Sequence, residues 1–137
     1  MKKLIIAIAF ILFAGVAFGQ TLKQGCLLGV HNLDLTLKPG VTVEELIDFY
    51  TDKFIPEFEK AFPGVKIYLL KGLRGENEDG YGLVYYLESV EVRDKYWPEK
   101  DVNSELAKAA YEKLTPALEK LNKLATGLSV HTDWVVL

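Results

Sequence analysis

Cysteine is nearly absent from this 137-residue sequence, in which Cys26 is the only one. The chain therefore cannot form an intrachain disulfide, and cysteine cannot build a metal site made of several thiolates. Two interpretations of Cys26 stay open: a small apolar side chain at the start of a strand, or a reactive thiol. Its place beside an apolar strand favours the first.

Basic clusters are also absent. The formal net charge is −3 at pH 7, with 16 lysines and arginines against 19 aspartates and glutamates. An acidic chain without a basic patch argues against binding of nucleic acid or of an anionic membrane surface. The sequence also lacks a phosphate-binding loop, a dinucleotide fingerprint and a Ser-His-Asp order. We therefore expect no cofactor and no nucleic-acid partner.

A long apolar run occurs at the start of the sequence. Two lysines precede the run at residues 4–13, and small residues mark a cleavage site between Gly19 and Gln20. This pattern predicts a secretory signal peptide over residues 1–19, hence a periplasmic or secreted protein with no stable membrane anchor after cleavage. The alternatives are an uncleaved anchor, for which the run is short and lacks a charged stop, and lipidation of Cys26.

Two periodicities follow one another in the first third of the mature sequence. Between residues 27 and 38 apolar and polar residues alternate, which predicts a strand with one buried face. After a Pro-Gly turn, Thr42 is a predicted helix N-cap with Glu45 at the capping-box position. Apolar residues then recur at steps of one, three or four as far as Phe62, which predicts an amphipathic helix kinked at Pro56.

The order of the predicted elements is β-α-β-β-α-β, which is that of the ferredoxin-like α+β fold. Right-handed crossovers then give an antiparallel sheet of strand order 4-1-3-2 with both helices on one face. Residues 20–137 are expected to form a single domain. The elements after the first helix are a strand at 65–73, an acidic hairpin loop at 74–80, a strand at 81–88, an irregular helical segment at 89–101, a long helix from 103 or 104 that Gly127 terminates, and a strand at 128–137.

The sheet face away from the helices is expected to be covered too. The third strand is apolar on both faces, with Val84 and Tyr86 on one and Leu83, Tyr85 and Leu87 on the other. This pattern predicts a homodimer packed sheet against sheet. The alternative is a monomer whose exposed apolar residues are scattered singly.

Two motifs resemble those of a known superfamily. Val30-His31 lies near the start of an alternating strand that runs into LKPGVT at residues 37–42 and an amphipathic helix, and the sequence ends near Asp133-Trp134-Val135-Val136. The chain thereby resembles the dimeric α/β-barrel proteins, nearest the stress-responsive A/B-barrel and antibiotic-biosynthesis-monooxygenase branches. The predicted order of elements resembles that of the superfamily over nearly the whole mature chain, whereas the sequence motifs that match amount to about a dozen residues. It implies a homodimer with a pocket between sheet and helices in each subunit.

The superfamily includes cofactor-independent monooxygenases, polyketide cyclases, haem-degrading enzymes and proteins of no known activity. The cyclases use a second histidine before the last strand, whereas His131 lies within that predicted strand. The haem-degrading members combine a first-strand Asn, a third-strand Trp and a helical His. This chain has Asn32, but no Trp in its third strand and no His in its predicted helices, so the resemblance does not extend to haem chemistry.

His31 is the candidate catalytic residue. It shares its phase of alternation with Leu33 and Leu35, so we expect it to face the helices, where the family's pocket lies. A neutral imidazole there has the chemistry of a general base near pH 7. The alternative is a buried histidine that bonds the backbone or a tyrosine.

His131 is expected to share a solvated or interface face with Ser129 and Asp133, and not to share the face of His31. A two-histidine metal site needs both rings on one face together with a carboxylate. The sequence therefore predicts no metal site.

The candidate ligand-binding residues are aromatic. The segment at 93–98 places an aromatic pair beside the expected pocket mouth, where it gates a ligand or, alternatively, forms a lid over the core. Other tyrosines in the predicted helices and strands supply hydroxyl groups. The candidates are Tyr50, Tyr68, Tyr85, Tyr96 and Trp97, with Tyr111 as a further hydroxyl.

Two functional hypotheses follow. The first is an exported dimeric protein that binds a small, largely apolar or aromatic molecule between sheet and helices. The second is a cofactor-independent enzyme, monooxygenase-like or cyclase-like, with His31 as general base. The lack of a complete catalytic constellation favours the first; a filled interior would instead indicate a purely structural role.

Overall fold

The computed structural model describes residues 22–137. The predicted signal peptide at 1–19 and its cleavage site lie outside these residues. The elements, in chain order, are β1 (Leu27–Leu37), α1 (Val43–Phe49), a π-helical turn (Tyr50–Phe54), α2 (Ile55–Ala61), β2 (Val65–Lys71), β3 (Tyr81–Leu87), α3 (Val90–Tyr96), α4 (Glu105–Leu124) and β4 (Ala125–Val135).

The sheet confirms the predicted fold class and strand order. Its strands run in the order β2-β3-β1-β4, each antiparallel to its neighbour, so β1 lies between β3 and β4. The helices cover one face of the sheet, and the core lies between the two layers. Phe58, Phe62 and Leu114 are buried there against Val65 and Leu87. Each such side chain contributes roughly 1.5–3 kcal/mol by leaving water.

The helices begin where their polar caps predict. The Thr42 hydroxyl accepts a hydrogen bond from the Glu45 backbone N–H at 3.1 Å, which satisfies one free donor at the start of α1. Ser104 caps α4 in the same way, accepting from the Ala107 N–H at 3.2 Å. Pro56 lies in the first turn of α2, where its missing N–H is tolerated because a π-helical turn precedes it.

The prediction that Gly127 terminates the last helix is wrong. Helix α4 ends at Leu124, and Gly127 lies inside β4, paired with Leu35. A Cβ atom at Gly127 would lie 2.0 Å from the Asp34 carbonyl oxygen. Close approach of two strand backbones, and not a helix end, therefore requires glycine at this position.

Cys26 is fully buried directly before β1, which agrees with its interpretation as a small apolar side chain. Within residues 22–137, no helix is both long enough and apolar enough to cross a membrane.

Candidate functional site

The pairing of β1 with β4 brings the two histidines together. His31 lies directly opposite His131 in the antiparallel register, so both rings project from the same sheet face. The rings are stacked, with centroids 4.6 Å apart and planes 11° from parallel. The expectation that His131 lies on the other face is therefore wrong.

The reason for this error lies in the alternation of β4. Period two shows that Ser129, His131 and Asp133 share a face, and it separates them from Val130 and Trp134. It does not show which face meets the helices, and the polar residues of a strand ordinarily meet water. In this fold the polar face of β4 meets the helical layer, because a cavity lies there.

The cavity has a volume of about 740 Å³, which is within the usual range for a small-molecule site. It lies between the sheet and the segment that runs from α3 to α4. Four aromatic rings form its side wall and floor, two histidines and an ion pair form one polar end, and a loop forms the mouth. The lining residues include Gly29, His31, Phe58, Tyr85, Arg93, Trp97, Tyr111, His131 and Asp133.

Three side chains contact the His31 ring. Its Nδ1 atom lies 2.9 Å from the Ser129 hydroxyl oxygen, within hydrogen-bonding distance. Its ring centroid lies 4.5 Å from that of Tyr85, at an angle of 39°. The stacked His131 contacts it from the neighbouring strand. The ring therefore has a fixed orientation at the cavity wall.

This environment disfavours the protonated form of His31. Burial, followed by the neighbouring His131, lowers the pKa of His31 from 6.5 to about 4, and the Asp133 carboxylate opposes this shift only in part. His31 is therefore a neutral imidazole at pH 7. A neutral ring offers one hydrogen-bond donor and one acceptor.

An ion pair closes the polar end of the cavity. The Arg93 Nη1 atom of α3 donates to Asp133 Oδ2 of β4 at 2.8 Å, and its Nε atom donates to Asp94 Oδ1 at 2.6 Å. Gly29 of β1 makes room for this pair, because a Cβ atom there would lie 3.0 Å from Asp133 Oδ1. The Arg93–Asp133 bond thus joins the helical layer to the edge of the sheet.

The aromatic wall is anchored in the core behind it. Tyr85 meets Phe58 edge to face, with centroids 5.5 Å apart, and Trp97 stacks on Phe62 at 5.1 Å. Burial raises the pKa of Tyr111, and a hydrogen bond with Trp97 opposes this shift only in part. Burial, with smaller contributions from Tyr111 and Tyr50, also raises the pKa of Tyr85.

Residues 98–103 form the mouth of the cavity. A tight turn joins Glu99 to Val102, whose backbone N–H donates to the Glu99 carbonyl at 3.1 Å. Asp101, in this turn, has a φ of 61°, which aspartate tolerates better than most residues. Ser104 fixes the end of the loop by donating from its hydroxyl to the Lys95 carbonyl at 2.6 Å.

The structure places the predicted site residues in four locations. His31, Tyr85 and Trp97 line this cavity together. Tyr96 is buried behind it and donates its hydroxyl to the Pro63 carbonyl at 2.9 Å. Tyr50 lines a second cavity, and Tyr68 lies on the sheet face away from the helices.

Sequence reasoning gave no site role to several of the lining residues, among them Gly29 and Asp133. Gly29 interrupts an apolar strand, which is a signal of close approach by another group, and Asp133 is a charged residue directly before the apolar run at 134–137. The residues described, 22–137, contain no cluster of three or more His, Cys, Asp or Glu side chains that could hold a metal ion.

No protein-family profile matches the sequence, and no curated protein matches it. Two solved structures are similar in fold. SnoaB, a cofactor-independent oxygenase from Streptomyces nogalater, is 17% identical over 82% of this chain and 94% of its own, with a TM-score of 0.48. A dimeric protein of unknown function with a ferredoxin-like fold, from Bacteroides fragilis, is 14% identical over 82% and 97%, with a TM-score of 0.40. Both are too distant to carry an inference about function.

Proposed function

We propose that this is an exported, homodimeric protein that binds a small, largely apolar aromatic molecule between its sheet and its helices. The observation that carries the proposal is the cavity of about 740 Å³, with an aromatic wall and one polar end. A filled interior, as expected for a purely structural protein, is not what the described residues form.

The lining residues indicate the kind of ligand. Phe58, Tyr85 and Trp97 present rings whose positions are fixed by neighbouring aromatic residues, and such rings favour a planar apolar partner. The polar end offers the neutral His31 ring and the Arg93–Asp133 pair. A single polar substituent on the ligand, placed at this end, would fix its orientation.

The enzymatic alternative assigns His31 as general base. A general base works best when its pKa lies near the working pH, and that of His31 is lowered to about 4. At pH 7 such a ring is a good hydrogen-bond acceptor for a ligand hydroxyl but gains little by taking its proton. This argues for binding over proton abstraction.

The homodimer proposal rests on the uncovered sheet face. We define this face by its apolar residues, which come from all four strands. Residues on neighbouring strands lie directly opposite one another: Leu28, for example, is paired with Tyr86 on one side and Trp134 on the other. Val130 and Trp134 are 73% and 60% exposed in the single chain. A second copy would cover them with the same apolar surface, and Lys66, at the edge, is already paired with Glu59. The apolar residues of the face are Leu28, Val30, Tyr68, Leu70, Val84, Tyr86, Val130 and Trp134.

Native mass spectrometry of the protein, purified from the envelope fraction of its own cells, tests the proposal. We expect a mass of two chains that each begin at Gln20, together with a small molecule. Trp97→Ala should lose most of that molecule, because it removes part of the aromatic wall. The matched control is Leu106→Ala, an exposed position on α4 away from the cavity, which should keep it.

Each part of this experiment can fail separately. A monomer would overturn the homodimer, and chains that keep residues 1–19 would overturn cleavage of the signal peptide. A dimer without a bound molecule would overturn the binding function. The same conclusion would follow if Trp97→Ala carried as much of the bound molecule as the wild-type protein. The enzymatic alternative would be established instead if the protein turned over the bound molecule and His31→Ala abolished this turnover while weakening binding only modestly.

A further inference from the structure

A second cavity lies between the other half of β1 and the start of the first helix. Its volume is about 150 Å³, and it shares no lining residue with the larger cavity. Several of the apolar side chains that form it are only partly buried, so the cavity is open to solvent. The lining residues are Leu33, Leu35, Leu37, Val43, Leu46, Ile47, Tyr50, Leu69 and Tyr81.

Tyr50 is a buried polar side chain in this apolar cavity. It is only 4% exposed, and burial raises the pKa of its hydroxyl. No hydrogen bond joins that hydroxyl to another residue in the described range 22–137. No fully enclosed side-chain oxygen or nitrogen in that range lacks a partner, so the Tyr50 oxygen must reach open space. Tyr50 lines the second cavity, which provides that space.

The backbone at Tyr50 is irregular. A π-helical turn spans Tyr50–Phe54, and the Ile55 N–H bonds the Tyr50 carbonyl, five residues back. Single π-helical turns within α-helices are uncommon and occur often at functional sites. Tyr50 and Phe54, the first and last residues of this turn, both face the core, with their rings edge to face at 5.4 Å.

We infer that the second cavity binds one small apolar molecule that carries a single hydroxyl group, of the class of monocyclic phenols and short-chain alcohols. The size follows from the volume, since an apolar cavity of about 150 Å³ accepts benzene. The hydroxyl follows from Tyr50, which is the buried one of the two tyrosines that line the cavity and whose hydroxyl has no protein partner in the described range; Tyr81, the other, is partly exposed to water. This site is independent of the larger cavity and of the function proposed for it.

Phenol and benzene form a matched pair of probes, because they differ only in the hydroxyl group. In a protein with 13C-labelled leucine and valine methyl groups, phenol should shift the methyl signals of Leu33, Leu46 and Leu69 at lower concentration than benzene. Tyr50→Phe should weaken phenol binding at these methyls about fivefold, which is the effect of one hydrogen bond. It should leave benzene binding unchanged.

Val43→Phe provides the second variant, because it fills the cavity from a partly exposed position on α1. It should abolish binding of both probes at these methyls. Val102→Phe, at the mouth of the larger cavity, is its matched control and should leave binding intact. Methyl shifts confined to the larger cavity, such as those of Leu87, would overturn the inference. An unchanged affinity of Tyr50→Phe for phenol would also overturn the inference. This outcome is decisive even if the Val43→Phe variant does not fold.

Discussion

At the scale of single residues, His31 is subject to opposed electrostatic effects. Burial and the stacked His131 disfavour its charged form, and Asp133 favours it. We expect a histidine titration by NMR to give a pKa of about 4 for His31. His131→Gln should raise this pKa, because it removes the like charge that appears at low pH, and Asp133→Asn should lower it further.

Thr42→Ala, at the start of α1 and outside the lining of this cavity, serves as the control for this titration and should leave the pKa of His31 unchanged. A wild-type pKa near 6.5 would contradict the buried, stacked geometry. A pKa that falls in His131→Gln would show that the two rings do not interact as a like-charge pair.

Gly29 matters at the same scale because of what it leaves empty. Its hydrogen atom faces the Asp133 carboxylate, the Cβ atom of Tyr85 and the imidazole of His31, all within 3.6 Å of where a Cβ atom would be. A methyl group there would displace Asp133 and with it the bond to Arg93. The polar end of the cavity therefore depends on the absence of a side chain as much as on the residues present.

At the scale of elements, Ser104 connects α3 to α4. Its hydroxyl accepts from the Ala107 N–H and donates to the Lys95 carbonyl, while its backbone N–H donates to the Tyr96 carbonyl at 2.9 Å. Ser104→Ala removes both side-chain bonds. We expect the free energy of unfolding to fall by about 1–2 kcal/mol and amide hydrogen exchange to become faster at residues 97–103.

Thr42→Ala is the matched control, since it removes a helix cap at the other end of the layer. It should lower the free energy of unfolding by about 1 kcal/mol without changing exchange at the cavity mouth. Equal exchange at residues 97–103 in both variants would mean that Ser104 only caps its helix and does not hold the loop.

At the scale of the whole molecule, the uncovered face decides the assembly. Trp134→Glu places two charges in the proposed interface of a symmetric dimer, so the dissociation constant should rise at least about 100-fold. Sedimentation velocity at micromolar concentration measures this change. Leu106→Glu, at an exposed apolar position on α4, should leave the dimer intact. A wild-type protein that sediments as a monomer would contradict the predicted interface.

Much of the architecture could be predicted because it depends on local patterns. The alternation in β1, the capping box at Thr42 and the element order led to the correct strand order and to helices on one face. The phase that His31 shares with Leu33 and Leu35 also placed it correctly, because apolar residues on a central strand mark the covered face.

The site could be predicted only in part. Trp97 and Tyr85 line the cavity as expected, but Tyr50 and Tyr68 are equally aromatic and lie elsewhere. Residue type alone does not separate them. The π-helical turn at Tyr50 and the open space beside it come from packing of the helix on the sheet, which leaves no simple mark in a single sequence.

The sequence by itself determined the fold class, the strand order and the face of β1 that carries His31, since hydrophobic periodicity and turn residues act over a few neighbours. The tertiary structure decided that His131 and Asp133 join His31, because strand pairing, and not alternation, selects which face of β4 meets the helices. It also decided that Gly127 lies within a strand, where two backbones approach too closely for a side chain. Contacts between residues far apart in the chain fix both of these features.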